Sequence, residues 1–263
     1  MKKIFLFFAF VLTALVANAW TNNCEEGIVI MAAQHLTPKA KAVVDRYLGT
    51  RYSDDIHYLY TLESKKKATH TKEIHYVHLD GNLQPMNVAG DDALVALEAA
   101  LAVVESYESK SDEEVTAALR TVINLVSDIH LLSSYRIASI PYSQKVHKFI
   151  RHSYDYGPNK NETSQVNWHK VWGSFSRRYS GFSGEFWAYE MNVGKGKMYD
   201  EYSKGTLREW VVANGEIAAS YLRKYTPDYV MTPFEFHSLE EVNYEMMARS
   251  SFRLAALLNA TIK

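Results

Sequence analysis

Cysteine is nearly absent from this chain of 263 residues: Cys24 stands alone. One thiol excludes an internal disulfide, so the fold must stand on packing or on metal. Proline and glycine are sparse, at 6 and 12. That argues against a turn-rich β architecture and for helices. Charge of one sign is also missing. The formal net charge is -1, which excludes a broadly basic surface for a polyanion. Lys65-Lys66-Lys67 and Arg177-Arg178 are small basic clusters of the kind that usually face solvent. Contact with phosphate would therefore need bound cations or a local patch. Internal repeats, low-complexity segments and long linkers are lacking as well.

Only one long apolar run is present, and it lies at the start. Lys2 and Lys3 precede apolar residues from Ile4 to about Val16, and Ala17-Asn18-Ala19 is a small-x-small cleavage site. This is the layout of a secretory signal peptide. The run is short for a membrane span of ~20 residues. Residues 1–19 are thus expected to be removed between Ala19 and Trp20, leaving a secreted or periplasmic product without a stable membrane anchor. Cys24 follows Thr21-Asn22-Asn23, which is not a lipid-attachment context. Residues 20–263 are expected to form one domain. With 47% hydrophobic and 13% aromatic residues, the chain can bury a sizeable core.

The spacing of apolar residues predicts helices over 25–35, 38–48, 91–106 and 111–132, and again over 164–176, 206–224 and 238–261. Thr37 and Pro38 suit a helix start and Gly49 a stop. Ser111 with Asp112, Glu113 and Glu114 is a second start signal. Ala118, Val122, Leu125, Ile129 and Leu132 form a buried stripe on that helix. The run 73–79 could be extended. Residues 140–163, rich in Tyr, His, Asn and Lys, read as a long irregular surface excursion of the kind that often lines sites.

The chain has 10 histidines, several beside carboxylates. Asn124 and Asp128 share a helix face at the edge of the apolar stripe. Asp128 is either a helix-surface acid or a carboxylate that needs pairing, hydrogen bonds or a metal. His75, His78 and His169 each suit a satisfied, partly buried residue as well as a ligand. Imidazole and carboxylate together suit zinc.

Four blocks, in order over nearly the whole chain after the leader, carry a resemblance. They are WTNNCEEGIVIMAAQHLTPKAKAVVDRYLG, ALRTVINLVSDIHLLSSY, VNWHKVWGSF and SSFRLAALLNATI. The second is similar to ALRFLVHLVGDIHQPLHA of the S-one/P-one nuclease family, the zinc-dependent single-strand nucleases related to zinc phospholipase C. The chain resembles a divergent member of that family. The resemblance implies an all-α fold, a single helical domain of the zinc phospholipase C / nuclease type. It implies three clustered zinc ions and metal-assisted hydrolysis of phosphodiester bonds in single-stranded nucleic acid or nucleotides. It implies that the mature N-terminal residue, Trp20, is itself a ligand.

Read residue by residue, that ligand set is incomplete. Trp20 matches, and Glu25 stands for a histidine. The next acidic ligand falls on Glu63, with Asp54 and Asp55 as alternatives. His75 matches. Asn124 replaces a histidine, and Asp128, the metal-bridging carboxylate of the family, is kept. Ser134 replaces another histidine. His169 is kept, but its partner aspartate is Gly173. The family's Gly-Gly-Asn loop is not found between Ser134 and His169. The resemblance therefore implies zero to two zinc ions and impaired hydrolysis. The other readings are a non-catalytic binding or surface protein, and a protein pinned by one structural zinc.

Overall fold

Short-range capping writes most of the helix starts. The structure, a computed structural model, describes residues 20, 22–49, 74–88, 90–144, 148–152, 163–173 and 182–263. Helix α1 (Asn22–Ala33) is followed by α2 (Pro38–Leu48). The Thr37 side chain accepts from the Ala40 amide, Pro38 sits in the first turn, and Gly49 ends the helix at φ 73°. Asp92 caps α3 (Ala93–Glu105) through the Leu94 and Val95 amides. Ser111 and Glu114 close a capping box on α4 (Asp112–Asp128). The short α5 (Trp168–Gly173) and α6 (Gly184–Lys195) come next, then α7 (Tyr199–Tyr202). Capping boxes recur at Thr206 and Glu209 for α8 (Leu207–Lys224) and at Thr232 and Glu235 for α9 (Pro233–Thr261).

The helix expected over 111–132 stops at Asp128, so Ile129 and Leu132 lie just past the end of α4, yet the predicted stripe is the middle of the core. Val122, Leu125 and Ile129 are fully buried, and Ala118 and Leu132 nearly so. Each buried Val, Leu or Ile side chain contributes about 1.5–3 kcal/mol. Helix α4 packs on α3, α2 and α9, while α1 packs on α6 and α9. The α1–α6 crossing is close because two glycines meet there. A Cβ on Gly27 would lie 2.5 Å from the Trp187 Cβ, and one on Gly184 would strike the Glu26 side chain. The closing block ties the ends of the chain. Asn259 accepts from the Thr37 amide at 2.7 Å and donates to the His35 carbonyl at 2.9 Å.

The fold is mostly helical, in line with the all-α expectation, and two small sheets of short strands sit among the helices. Strands β1 (Val77–Leu79) and β2 (Tyr135–Ile137) pair in parallel, Val77 opposite Tyr135. Strands β3 (Lys148–His152), β4 (Thr163–Asn167) and β5 (Val230–Met231) form a sheet in the order β4-β3-β5. Residues 140–163 are thus not irregular throughout: a 3-10 turn spans Pro141–Gln144 and β3 follows. The helix expected over 164–176 begins only at Trp168, since Thr163–Asn167 pairs with β3 instead. Pairing with a distant strand outweighs local preference there. Helix α6 has no counterpart in the sequence reading, because Gly184, Gly194 and its mixed apolar faces hide its period. Among the described residues no helix is long and apolar enough to cross a membrane. The expected leader, residues 1–19, lies outside them.

Candidate functional site

Asp128 is the last residue of α4 and only 4% exposed. A carboxylate there requires a partner. The parallel β1–β2 ladder supplies it. His75 stands two residues before β1, Asp128 seven before β2, and the pairing of Val77 with Tyr135 draws the two segments together. His75 Nδ1 lies 2.8 Å from Asp128 Oδ2. This hydrogen bond raises the His75 pKa above its ordinary 6.5; partial burial opposes the rise, and the charges of Asp128 and Glu25 reinforce it. The pair is therefore an imidazolium bound to a carboxylate over more of the pH range than a free histidine would allow.

The neighbouring positions follow from α1 and α4. The Trp20 indole is buried, and its Nε1 donates to the Ser127 carbonyl at 3.3 Å, one residue before Asp128. Glu25, on the first turn of α1, adds its negative charge to the field at His75. Asn124 is half-buried one turn before Asp128. Helix α5, which carries His169 and Gly173, packs against the turn Leu132–Ser134. Ser134 is buried, and its amide donates to the Leu131 carbonyl at 2.8 Å. Glu63, Asp54 and Asp55 lie outside the described residues.

The donor set can be weighed against zinc. A structural zinc takes four ligands, and a catalytic one takes three from protein. Among the described residues no three His, Cys, Asp or Glu side chains converge closely enough to hold a metal ion. His75 and Asp128 meet as a pair through one hydrogen bond. One residue before Asp128, the buried Ser127 Oγ has no hydrogen-bond partner among the described residues. A neutral hydroxyl is a weaker zinc ligand than an imidazole or a carboxylate. Among the described His, Cys, Asp and Glu side chains, His75 and Asp128 are the two that meet here.

A second polar cluster escaped sequence reasoning. His130 is fully buried two residues beyond Asp128. Its Nδ1 lies 2.7 Å from the Val126 carbonyl, so Nδ1 carries the proton and donates. Its Nε2 accepts from Arg253 Nη1 at 3.0 Å. Burial, then the charge of Arg253, push the His130 pKa well below 6.5. Arg253 also donates to the Tyr202 carbonyl at 3.0 Å and to Asn214 Oδ1 at 3.3 Å. Asn214 and Tyr135 both donate to the Ile129 carbonyl, at 2.9 and 2.7 Å. Burial above all lowers the Arg253 pKa to about 10. The only signal in the sequence was that His130 and Arg253 fall inside two of the four blocks.

Compared with known proteins, the chain matches no protein-family model and no curated protein.

Proposed function

We propose that this chain is an exported protein on the scaffold of the zinc-dependent single-strand nucleases, with little or no capacity to hydrolyse single-stranded nucleic acid or nucleotides. The observation that carries the reading is the hydrogen-bonded pair His75–Asp128, 2.8 Å apart at two positions that match family ligands. Support also comes from Asn124, Ser134 and Gly173, which stand where the family has ligating side chains. Cleaving a phosphodiester requires positive charge aimed at the phosphate oxygens in the transition state. In either protonation state of His75 the pair with Asp128 carries no net positive charge, and Glu25 adds a negative one.

The test joins metal content to cleavage. Protein purified from the exported fraction is dialysed and its zinc measured, and single-stranded DNA cleavage is followed with zinc and with chelator. Zero to two zinc ions per chain and negligible cleavage are expected. The variant combining Glu25→His, Asn124→His, Ser134→His and Gly173→Asp should bind more zinc and gain cleavage. Three zinc ions per wild-type chain, or robust chelator-sensitive cleavage, would overturn the proposal. Intact-mass analysis of the same sample tests processing: cleavage after Ala19 is expected, and a start elsewhere excludes Trp20 as a terminal-amine ligand.

A further inference from the structure

Away from His75 and Asp128, helices α6, α8 and α9 enclose an open recess of about 560 Å³. That volume falls in the range of small-molecule sites, ~300–1,000 Å³. Met246 is buried at its base, Tyr221 and Tyr244 give it aromatic walls, and Glu241, Glu245 and Lys195 bring charge.

The walls are held in place by contacts outside the recess. Tyr221 stacks on Tyr225, with ring centroids 6.1 Å apart and planes 10° apart, and meets Trp172 edge-on at 5.4 Å. Tyr244 donates its hydroxyl to the Glu190 carbonyl. Gly194 leaves room for that phenol, since a Cβ there would sit 2.7 Å from the Tyr244 oxygen. The Glu245 carboxylate is engaged by Arg249 at 2.6 and 3.0 Å. Glu241, one helical turn before Glu245, is exposed and forms no ion pair among the described residues. The recess thus combines fixed aromatic faces, an apolar base and one carboxylate without a counter-ion. Aromatic faces and an unpaired carboxylate both attract cations.

We infer that this recess binds an organic ammonium ion with an apolar body, of the size of a phenylalkyl amine. The ammonium lies against Glu241 and a tyrosine face, and the apolar body covers Met246. Lys195 disfavours a second positive charge, so monoamines are preferred over diamines. The site is independent of the His75–Asp128 pair and of any metal there.

Isothermal titration of the purified protein with phenethylamine, 2-phenylethanol and 3-phenylpropanoate tests it, with circular dichroism as the check on folding. Phenethylammonium should bind saturably and about tenfold more tightly than the neutral alcohol. Glu241→Gln, a change on the exposed helix face, should erase that preference, and Lys195→Gln should strengthen amine binding. Equal affinity for amine and alcohol, tighter binding of the carboxylate, or undiminished preference in a folded Glu241→Gln variant overturns the inference. The absence of saturable amine binding overturns it too.

Discussion

Replacing Arg253 by methionine probes the buried polar hub. The guanidinium is 5% exposed and donates to the Tyr202 carbonyl, His130 Nε2 and Asn214 Oδ1. Its Cζ also lies 5.0 Å from the centre of the Trp210 ring. Methionine spans a similar length but donates nothing, so up to three buried acceptors lose a donor. Each orphaned group costs about 1–3 kcal/mol. Against this, the variant no longer buries a cation, a desolvation of several kcal/mol. Three orphaned neutral acceptors sum to roughly 3–9 kcal/mol, which leaves a net loss of about 3–5 kcal/mol once the relieved desolvation is set against them. For a chain of this size that lowers Tm by roughly 6–20 °C. Urea unfolding at pH 7.5, where His130 is neutral, reads the loss as a shift in midpoint at constant slope. Arg253→Lys should lose most of the same stability, since one ammonium cannot reproduce the planar fork. In a double-mutant cycle with His130→Leu, the combined variant should cost less than the sum by about 0.5–3 kcal/mol. A loss below ~1 kcal/mol for Arg253→Met, or strict additivity with His130→Leu, would refute the idea that these hydrogen bonds organise the interior.

Gly27→Ala forces the α1–α6 crossing apart, because the new methyl would sit 2.5 Å from the Trp187 Cβ; thermal unfolding should show a loss of about 1–3 kcal/mol. Asp128→Asn removes the charged partner of His75, so NMR titration in chelator should find the His75 pKa moved down toward 6.5. The linkage sign is that of a raised histidine: the pair's contribution is complete below about 6.5 and fades as pH rises through the folded value, and the Asn variant should lack this pH dependence. Glu235 has the opposite sign. Burial would raise its pKa, but hydrogen bonds from Thr232, Tyr229 and Lys224 outweigh burial and lower it to about 2. Its contribution is complete above the ordinary 4.5 and is lost as pH falls toward about 2, so the stability gap between wild type and Glu235→Gln should narrow from pH 6 to pH 3.

What could be read from the residues depended on how far each interaction reaches. Asp128 at the edge of the apolar stripe was readable either as a helix-surface acid or as a carboxylate in need of a partner, and His75 as one of several histidines able to serve. Nothing in the spacing joined those two. Likewise Asn259 sits in an apolar closing block that reads as core, yet its amide works as a stitch to the α1–α2 turn. Strand β3 was hidden because a strand's partners are not its neighbours, and its ladder with β4 and β5 appears only when the chain is folded.

By itself, then, the sequence determined the helices that begin on a cap. Thr37, Ser111 and Thr206 each satisfy an amide three residues on, so the instruction and its execution lie within one turn, whereas the last helix, expected from 238, starts earlier on a Thr232 cap. It also determined the buried face of α4, because the helical period alone brings Ala118, Val122 and Leu125 to one side. Only the tertiary structure decided which polar groups meet. His75 and Asp128 are 53 residues apart, and His130 and Arg253 are 123 apart. Such partners are selected by three-residue strands and helix crossings. The energy of those contacts comes from burial shared by the whole core, which no local pattern encodes.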